Sequence, residues 1–146
     1  MAKIFEIGIA ENRREVIKNV DQIGVIAGKG LEGDRHFKME GKNIGQITLI
    51  EKEIIDEFNK SLQKPIPYIN FRRNIVTEGI KLNNLINKII KLGNITIKPI
   101  ELCEPCKHLE EMVNEKNVVK KFAHKGGLRC EILSTGIIYL GDAIKY

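Results

Sequence analysis

The stretch that decides the fold is Arg129-Cys130-Glu131-Ile132-Leu133-Ser134-Thr135-Gly136-Ile137-Ile138-Tyr139-Leu140-Gly141-Asp142-Ala143-Ile144-Lys145. It reads as two strands, Arg129 to Leu133 and Ile137 to Lys145, separated by a Gly-containing turn. The same grammar recurs upstream. Residues 3–10 alternate well enough for a strand, residues 15–26 hold a second that ends at Gly28-Lys29-Gly30, and Gln46 to Ile50 is a short apolar third. Asn74 to Thr77 and Ile95 to Leu102 complete the set. Helical spacing appears in three places. Ile54, Phe58 and Leu62 recur every four residues with Ile55 beside them, so Glu51 to Leu62 is an amphipathic helix that stops before Pro65 and Pro67. Lys107 to Glu115 and Val118 to His124 read as short helices, the second closed by Gly126-Gly127. Many short strands with few helices predict a mainly β protein, a closed or nearly closed β-barrel. Strands and helices do not alternate regularly, which argues against a doubly wound α/β sheet.

The bulk properties agree. A chain of 146 residues, 42% hydrophobic and 29% charged, suits one domain with one core over residues 1–146. No apolar run is long enough to span a membrane as a helix. Met1 to Glu6 reads as a first strand rather than a targeting segment, so the expected location is cytoplasmic. The net charge is +5, but aromatics are only 5% and no basic stretch is interleaved with them, which argues against a base-stacking nucleic-acid surface. Arg says more than Lys. Of six Arg residues, Arg35, Arg72, Arg73 and Arg129 lie in Gly- or Asn-marked segments rather than on helix faces. Arg suits bidentate contact with phosphate or carboxylate, so this distribution points to an anion site.

Four constellations carry candidate chemistry. The first is Cys103-Glu104-Pro105-Cys106-Lys107-His108, where a strand leads in and a helix leads out. Pro105 suits the first helical position and places Cys106 in the first turn, where unpaired N–H groups and positive potential favour a thiolate. That thiolate suits nucleophilic sulfur chemistry or metal ligation. The alternatives are two partly buried inert cysteines, a thioredoxin-like redox pair, or zinc held by Cys103, Cys106 and two of His108, His124 and Cys130. The second is Gly30-Leu31-Glu32-Gly33-Asp34-Arg35-His36, either a tight turn presenting Arg35 and His36 to an anion or a turn in which Asp34 pairs with Arg35 or caps the backbone. The third is Arg72-Arg73-Asn74, whose adjacent Arg residues ahead of a strand should point to opposite faces, leaving one for a surface salt bridge. The fourth is His124-Lys125-Gly126-Gly127-Leu128-Arg129-Cys130. Its Gly-Gly loop either exposes backbone N–H groups and Arg129 to an anion or simply caps a helix, and Cys130 is assigned to packing.

These segments, in order, resemble the MOSC domain family, the domain at the C-terminus of molybdenum cofactor sulfurases, and most closely its short stand-alone prokaryotic members. The likeness runs through GLEGDRH at 30–36, GQITLIEKE at 45–53, FRRNIVTEGI at 71–80, CEPCKHLE at 103–110, HKGGLRCEI at 124–132 and GIIYLGD at 136–142. The resemblance implies a MOSC-type β-barrel and one functional cysteine, matched by Cys106, with Cys103 as an extra, auxiliary thiol. It implies that Cys106 carries sulfur as a persulfide, delivered by a pyridoxal-phosphate cysteine desulfurase and passed to a metal–sulfur centre. In the related amidoxime-reducing enzymes the corresponding cysteine ligates molybdenum. The resemblance therefore also implies a molybdenum-cofactor-binding protein with Cys106 as metal ligand, or a molybdenum-dependent reductase of N-hydroxylated compounds. Arg35, His36, Arg72, Asn74, His124 and Arg129 are then the residues for the cofactor's anionic groups. Against that pattern no N-terminal extension like that of the amidoxime-reducing enzymes is expected, so a homodimer could complete the site. The remaining alternative is a non-catalytic, zinc-stabilised interaction domain.

Overall fold

β8, Ile95–Leu102, buries Ile95, Ile97 and Pro99 on one face, the period-2 pattern of a half-buried strand. In the computed structural model, which describes residues 1–37, 45–103 and 125–146, it lies inside an eight-stranded sheet ordered β11-β7-β8-β9-β5-β6-β1-β2. The other members are β1 (Lys3–Ile9), β2 (Lys18–Val20), β5 (Ile47–Glu51), β6 (Ile75–Glu78), β7 (Ile90–Leu92), β9 (Leu128–Ile132) and β11 (Ile144–Lys145). All neighbours are antiparallel except β5 and β6, which run parallel. The sheet curls until its ends meet. An isolated bridge joins Lys3 to Ala143, with hydrogen bonds from Ile4 N–H to the Asp142 carbonyl and from Ile144 N–H to the Ala2 carbonyl, both 2.9 Å. Curling satisfies edge groups that an open sheet would leave unpaired. A smaller sheet, β10-β3-β4, is built from Gly136–Tyr139, Gln22–Ile26 and Gly30–Leu31. The fold is the mainly β barrel expected.

Two cores hold it. Inside the barrel, fully buried Ile7, Ile47, Leu49, Ile75, Ile97, Leu128 and Cys130 pack together. Each such aliphatic side chain contributes roughly 1.5–3 kcal/mol relative to exposure. Every residue of β5 is buried, because its outer face is covered too. There Ile50 and Val76 meet Ile55 and Phe58 of α1 (Lys52–Asn59) and Phe71 of a 3-10 turn at Tyr68–Phe71. Pro99 sits inside β8, where the pairing with β9 slips between Pro99 and Glu101, and a bulge is where a strand tolerates a residue that cannot donate.

Two expected strands are each split. Residues 15–26 become β2 and β3, which belong to different sheets on either side of Asp21. Residues 137–145 become β10 and β11, again in different sheets, because Gly141 adopts φ +87° and turns the chain. α1 ends at Asn59, and hydrogen-bonded turns carry the chain on to Leu62. Cys106, Lys107, His108, His124 and the two expected helices at 107–115 and 118–124 lie outside the described residues. Among the described residues no helix is long and apolar enough to cross a membrane.

Candidate guanidinium site

The site starts at the turn after β4. Gly33 takes φ +78°, and Asp34 follows with a fully buried carboxylate. Its Oδ1 accepts from Ala10 N–H and from Arg35 Nη1, each at 3.1 Å, and its Oδ2 accepts from His36 N–H at 3.2 Å. Arg35 N–H donates to the Ala10 carbonyl at 2.7 Å. Asp34 thus both caps the backbone and pairs with Arg35, combining the two structural options left open above. The Arg35 side chain is only 6% exposed, and its Nη2 donates to the Arg72 carbonyl at 3.0 Å. Burial lowers the Arg35 pKa, and Asp34 works against it.

Arg72 closes the Tyr68–Phe71 turn in the left-handed region, φ 64° and ψ 29°. A non-glycine residue there costs roughly 1–2 kcal/mol. The conformation is held from both ends, by Arg35 on its carbonyl and by its own Nη1, which donates to the Glu15 carbonyl at 2.6 Å. Left-handed backbone interrupts the pleat, so Arg72 and Arg73 do not alternate as strand neighbours. Both are drawn into the same neighbourhood, where burial first and then Arg73 lower the pKa of Arg35, and burial, Arg35 and Arg73 lower that of Arg72. Among the described residues Arg73 forms no surface salt bridge. Its Nε donates to the Gly126 carbonyl at 2.9 Å, and its two Nη groups reach the Phe71 and Cys103 carbonyls at 3.4 Å.

Arg73 therefore grips the chain on both sides of residues 104–124. Cys103 N–H donates to the Gly127 carbonyl at 2.7 Å, joining the same two points. Gly127 has φ +99°, and a Cβ there would fall 1.7 Å from the Leu49 carbonyl oxygen. Close approach to β5 thus requires glycine at 127.

Arg129 and Glu101 face each other across β9 and β8, joined by a 3.1 Å ion pair that is nearly half exposed. The Arg129 guanidinium also acts electrostatically with the buried Cys103 thiol. Burial alone would lower its pKa, but Cys103 and Glu101 more than reverse this. Cys130 is fully buried in the barrel core, and burial pushes its thiol well up. Packing accounts for Cys130.

His36 sits among these charges, with Nδ1 3.6 Å from Asp34 Oδ2. Burial first, then Arg35, Arg13 and Arg129, hold its pKa down to about 4 against the pull of Asp34. At neutral pH the ring is uncharged. Asn74 is different. Its Oδ1 accepts from Thr48 N–H and the Thr48 hydroxyl, and its Nδ2 donates to the Gly8 carbonyl, all at 3.1 Å. The side chain ties β1 to β5 inside the barrel wall.

The structure thus brings Arg35, His36, Arg72, Arg129 and Cys103 together, and adds Arg73, Asp34, Glu101 and Arg13. Of the added four, Asp34 and Arg73 carried sequence signals, the Gly-flanked Asp-Arg pair and adjacency to Arg72, while Arg13 and Glu101 carried none. The pairing of Glu101 with Arg129 follows from strand register alone. Among the described residues, two carboxylates pair with the four guanidiniums of Arg35, Arg72, Arg73 and Arg129, namely Asp34 with Arg35 and Glu101 with Arg129. The guanidiniums' other partners among the described residues are mostly carbonyls, which solvate a guanidinium without cancelling its charge. The site carries surplus positive charge in a partly buried setting. Among the described residues no three His, Cys, Asp or Glu side chains are grouped to hold a metal ion.

The MOSC domain family model matches residues 36–145. The chain belongs to the MOSC domain family. The YUAD protein from Bacillus subtilis superposes on this MOSC domain with a TM-score of 0.84 at 22% identity, over 98% of this chain and 93% of that one. YiiM from Geobacillus stearothermophilus gives 0.80 at 15% identity, over 99% and 74%. YiiM from Escherichia coli gives 0.68 at 16%, over 99% and 67%. At these identities the likeness establishes the fold. Comparison with curated proteins gave no match.

Proposed function

We propose that this MOSC domain is a cysteine-based sulfur carrier working beside an anion-binding guanidinium site. The observation that carries the reading is the charge imbalance, four guanidiniums against two carboxylates among the described residues next to Cys103, three residues before Cys106. The Cys106 thiolate attacks the terminal sulfur of a persulfide on a pyridoxal-phosphate cysteine desulfurase. A new S–S bond forms on Cys106 as the donor's S–S bond breaks, and the donor cysteine leaves as a thiolate. The Cys103 thiolate then attacks the Cys106 sulfur, a Cys103–Cys106 disulfide forms as the persulfide bond breaks, and the outer sulfur leaves as sulfide for a metal–sulfur acceptor. Cys103 serves as the auxiliary thiol.

The molybdenum cofactor that the family implies is compatible with this donor set. Arg35, Arg72 and Arg129 suit the phosphate of a pterin, and guanidiniums match phosphate oxygens in fork geometry. His36 and His124 would flank that phosphate, and Cys106 would be the metal ligand. Bound there, the cofactor would supply two-electron chemistry at molybdenum. Asn74 would act on it only through the barrel wall that it braces.

Intact-mass analysis after incubation with a desulfurase and cysteine should show a gain of about 32 Da on the wild-type chain and none on Cys106→Ser. An unchanged wild-type mass, or an equal gain on the variant, would overturn the carrier reading. Elemental analysis of protein from a cofactor-producing host separates the other readings. Stoichiometric molybdenum lost in Cys106→Ser would mark a cofactor-binding protein or reductase, and zinc alone an interaction domain.

A further inference from the structure

On the outer face of the barrel, between α1 and a 3-10 turn at Leu82–Leu85, lies a cavity of about 570 Å³. None of the guanidinium residues lines it. It falls in the size range of small-molecule sites. On its wall is Glu51, the last residue of β5, a carboxylate in a residue only 6% exposed. Among the described residues its carboxylate accepts one hydrogen bond, from Leu82 N–H at 3.3 Å, a long contact for a group that can accept about four. Among the described residues no Lys, Arg or His reaches Glu51 within ion-pair distance. Burial pushes its carboxyl pKa up, and the Leu82 N–H and Lys81 only partly oppose this.

The neighbouring carboxylates are engaged elsewhere. Glu53 accepts from Gly79 N–H at 3.0 Å, and Glu57 pairs with Lys60 at 3.0 Å. The cavity also presents the opposite charge, from Lys81 and Lys125, and an apolar wall from Ile54 and the buried Phe58. One acid needing a cation, two ammonium groups and an apolar surface describe the complement of a zwitterion with a hydrophobic tail.

We propose that this cavity binds a free amino acid with an apolar side chain, its ammonium on Glu51, its carboxylate on Lys81 and Lys125, and its side chain against Ile54 and Phe58. The proposal is independent of Cys106 and of sulfur transfer. The test is NMR titration of the ¹⁵N-labelled full chain with L-phenylalanine, phenethylamine and 3-phenylpropionate. L-Phenylalanine should give saturable shifts at the amides of Ser61, Lys81 and Asn84. 3-Phenylpropionate, lacking the ammonium, should bind about tenfold more weakly, the loss of one ion pair. Glu51→Gln keeps the side-chain shape and an acceptor for Leu82 N–H, and should weaken L-phenylalanine by a similar factor. The exposed Lys81→Glu change should weaken L-phenylalanine and leave phenethylamine as tight or tighter. Absence of saturable shifts at these amides, equal affinity in Glu51→Gln, or 3-phenylpropionate binding as well as L-phenylalanine would overturn it.

Discussion

Asn74 and Arg72 stand two residues apart, both buried, and they meet burial in opposite ways. Asn74 is neutral, and both ends of its amide are engaged by Thr48 and Gly8 across two strands. Arg72 is charged, its backbone is left-handed, and its guanidinium donates to the Glu15 carbonyl. The first arrangement closes on the protein itself. The second leaves charge that only a counterion can cancel, because a carbonyl offers a dipole and not a negative charge. Buried polarity near this site thus divides into wall and receptor.

The largest test of that division is Asn74→Ala. It orphans the Thr48 N–H and the Gly8 carbonyl, and should cost about 3–5 kcal/mol in equilibrium urea unfolding, as expected for two buried unsatisfied groups. A loss below about 1 kcal/mol would remove the contrast. Arg72→Gly is the complementary change. Glycine relieves the left-handed backbone while a charge-assisted hydrogen bond is lost, so stability should change by no more than about 1–2 kcal/mol. Affinity for inorganic phosphate, read by calorimetry, should fall about tenfold. Equal phosphate binding by the variant would place the receptor elsewhere.

The smallest effect concerns His36. Its pKa of about 4 lies below the ordinary 6.5, so the unfolded chain takes up this proton at higher pH than the folded one. The His36 contribution to stability is complete above pH 6.5 and is lost as pH falls toward 4. The melting temperature should drop across that window, and His36→Gln should flatten the drop. Phosphate bound beside it should raise the His36 pKa in an NMR titration, since the anion offsets Arg35, Arg13 and Arg129.

Much of the fold was legible because strand periodicity is local. Ile95–Leu102 and the core-facing Ile97 and Cys130 follow from alternation alone. The splits within 15–26 and 137–145 were not legible, because alternation says which side chains face inward and not which sheet a strand joins. The candidate site was legible as a set of residue types, Arg35, His36, Arg72, Arg129 and the Cys103 pair. The opposite facing expected of Arg72 and Arg73 did not hold, because strand geometry was assumed where Arg72 leaves the pleat. Asp34 and Arg35 beside His36 were legible, but Arg13 and Arg129 had no sequence signal, since they approach it from far along the chain.

By itself the sequence determined a mainly β chain with a helix over α1, a Cys-x-Pro-Cys segment and a concentration of Arg in turns, because each is written in neighbouring residues. Only the tertiary structure decided that Lys3 would meet Ala143, that Arg73 would hold Cys103 and Gly126 together, and that Asp34 and Glu101 would be the only carboxylates paired with four guanidiniums among the described residues. Those outcomes depend on register, curvature and burial, which arise when distant segments compete for the same space and the same partners.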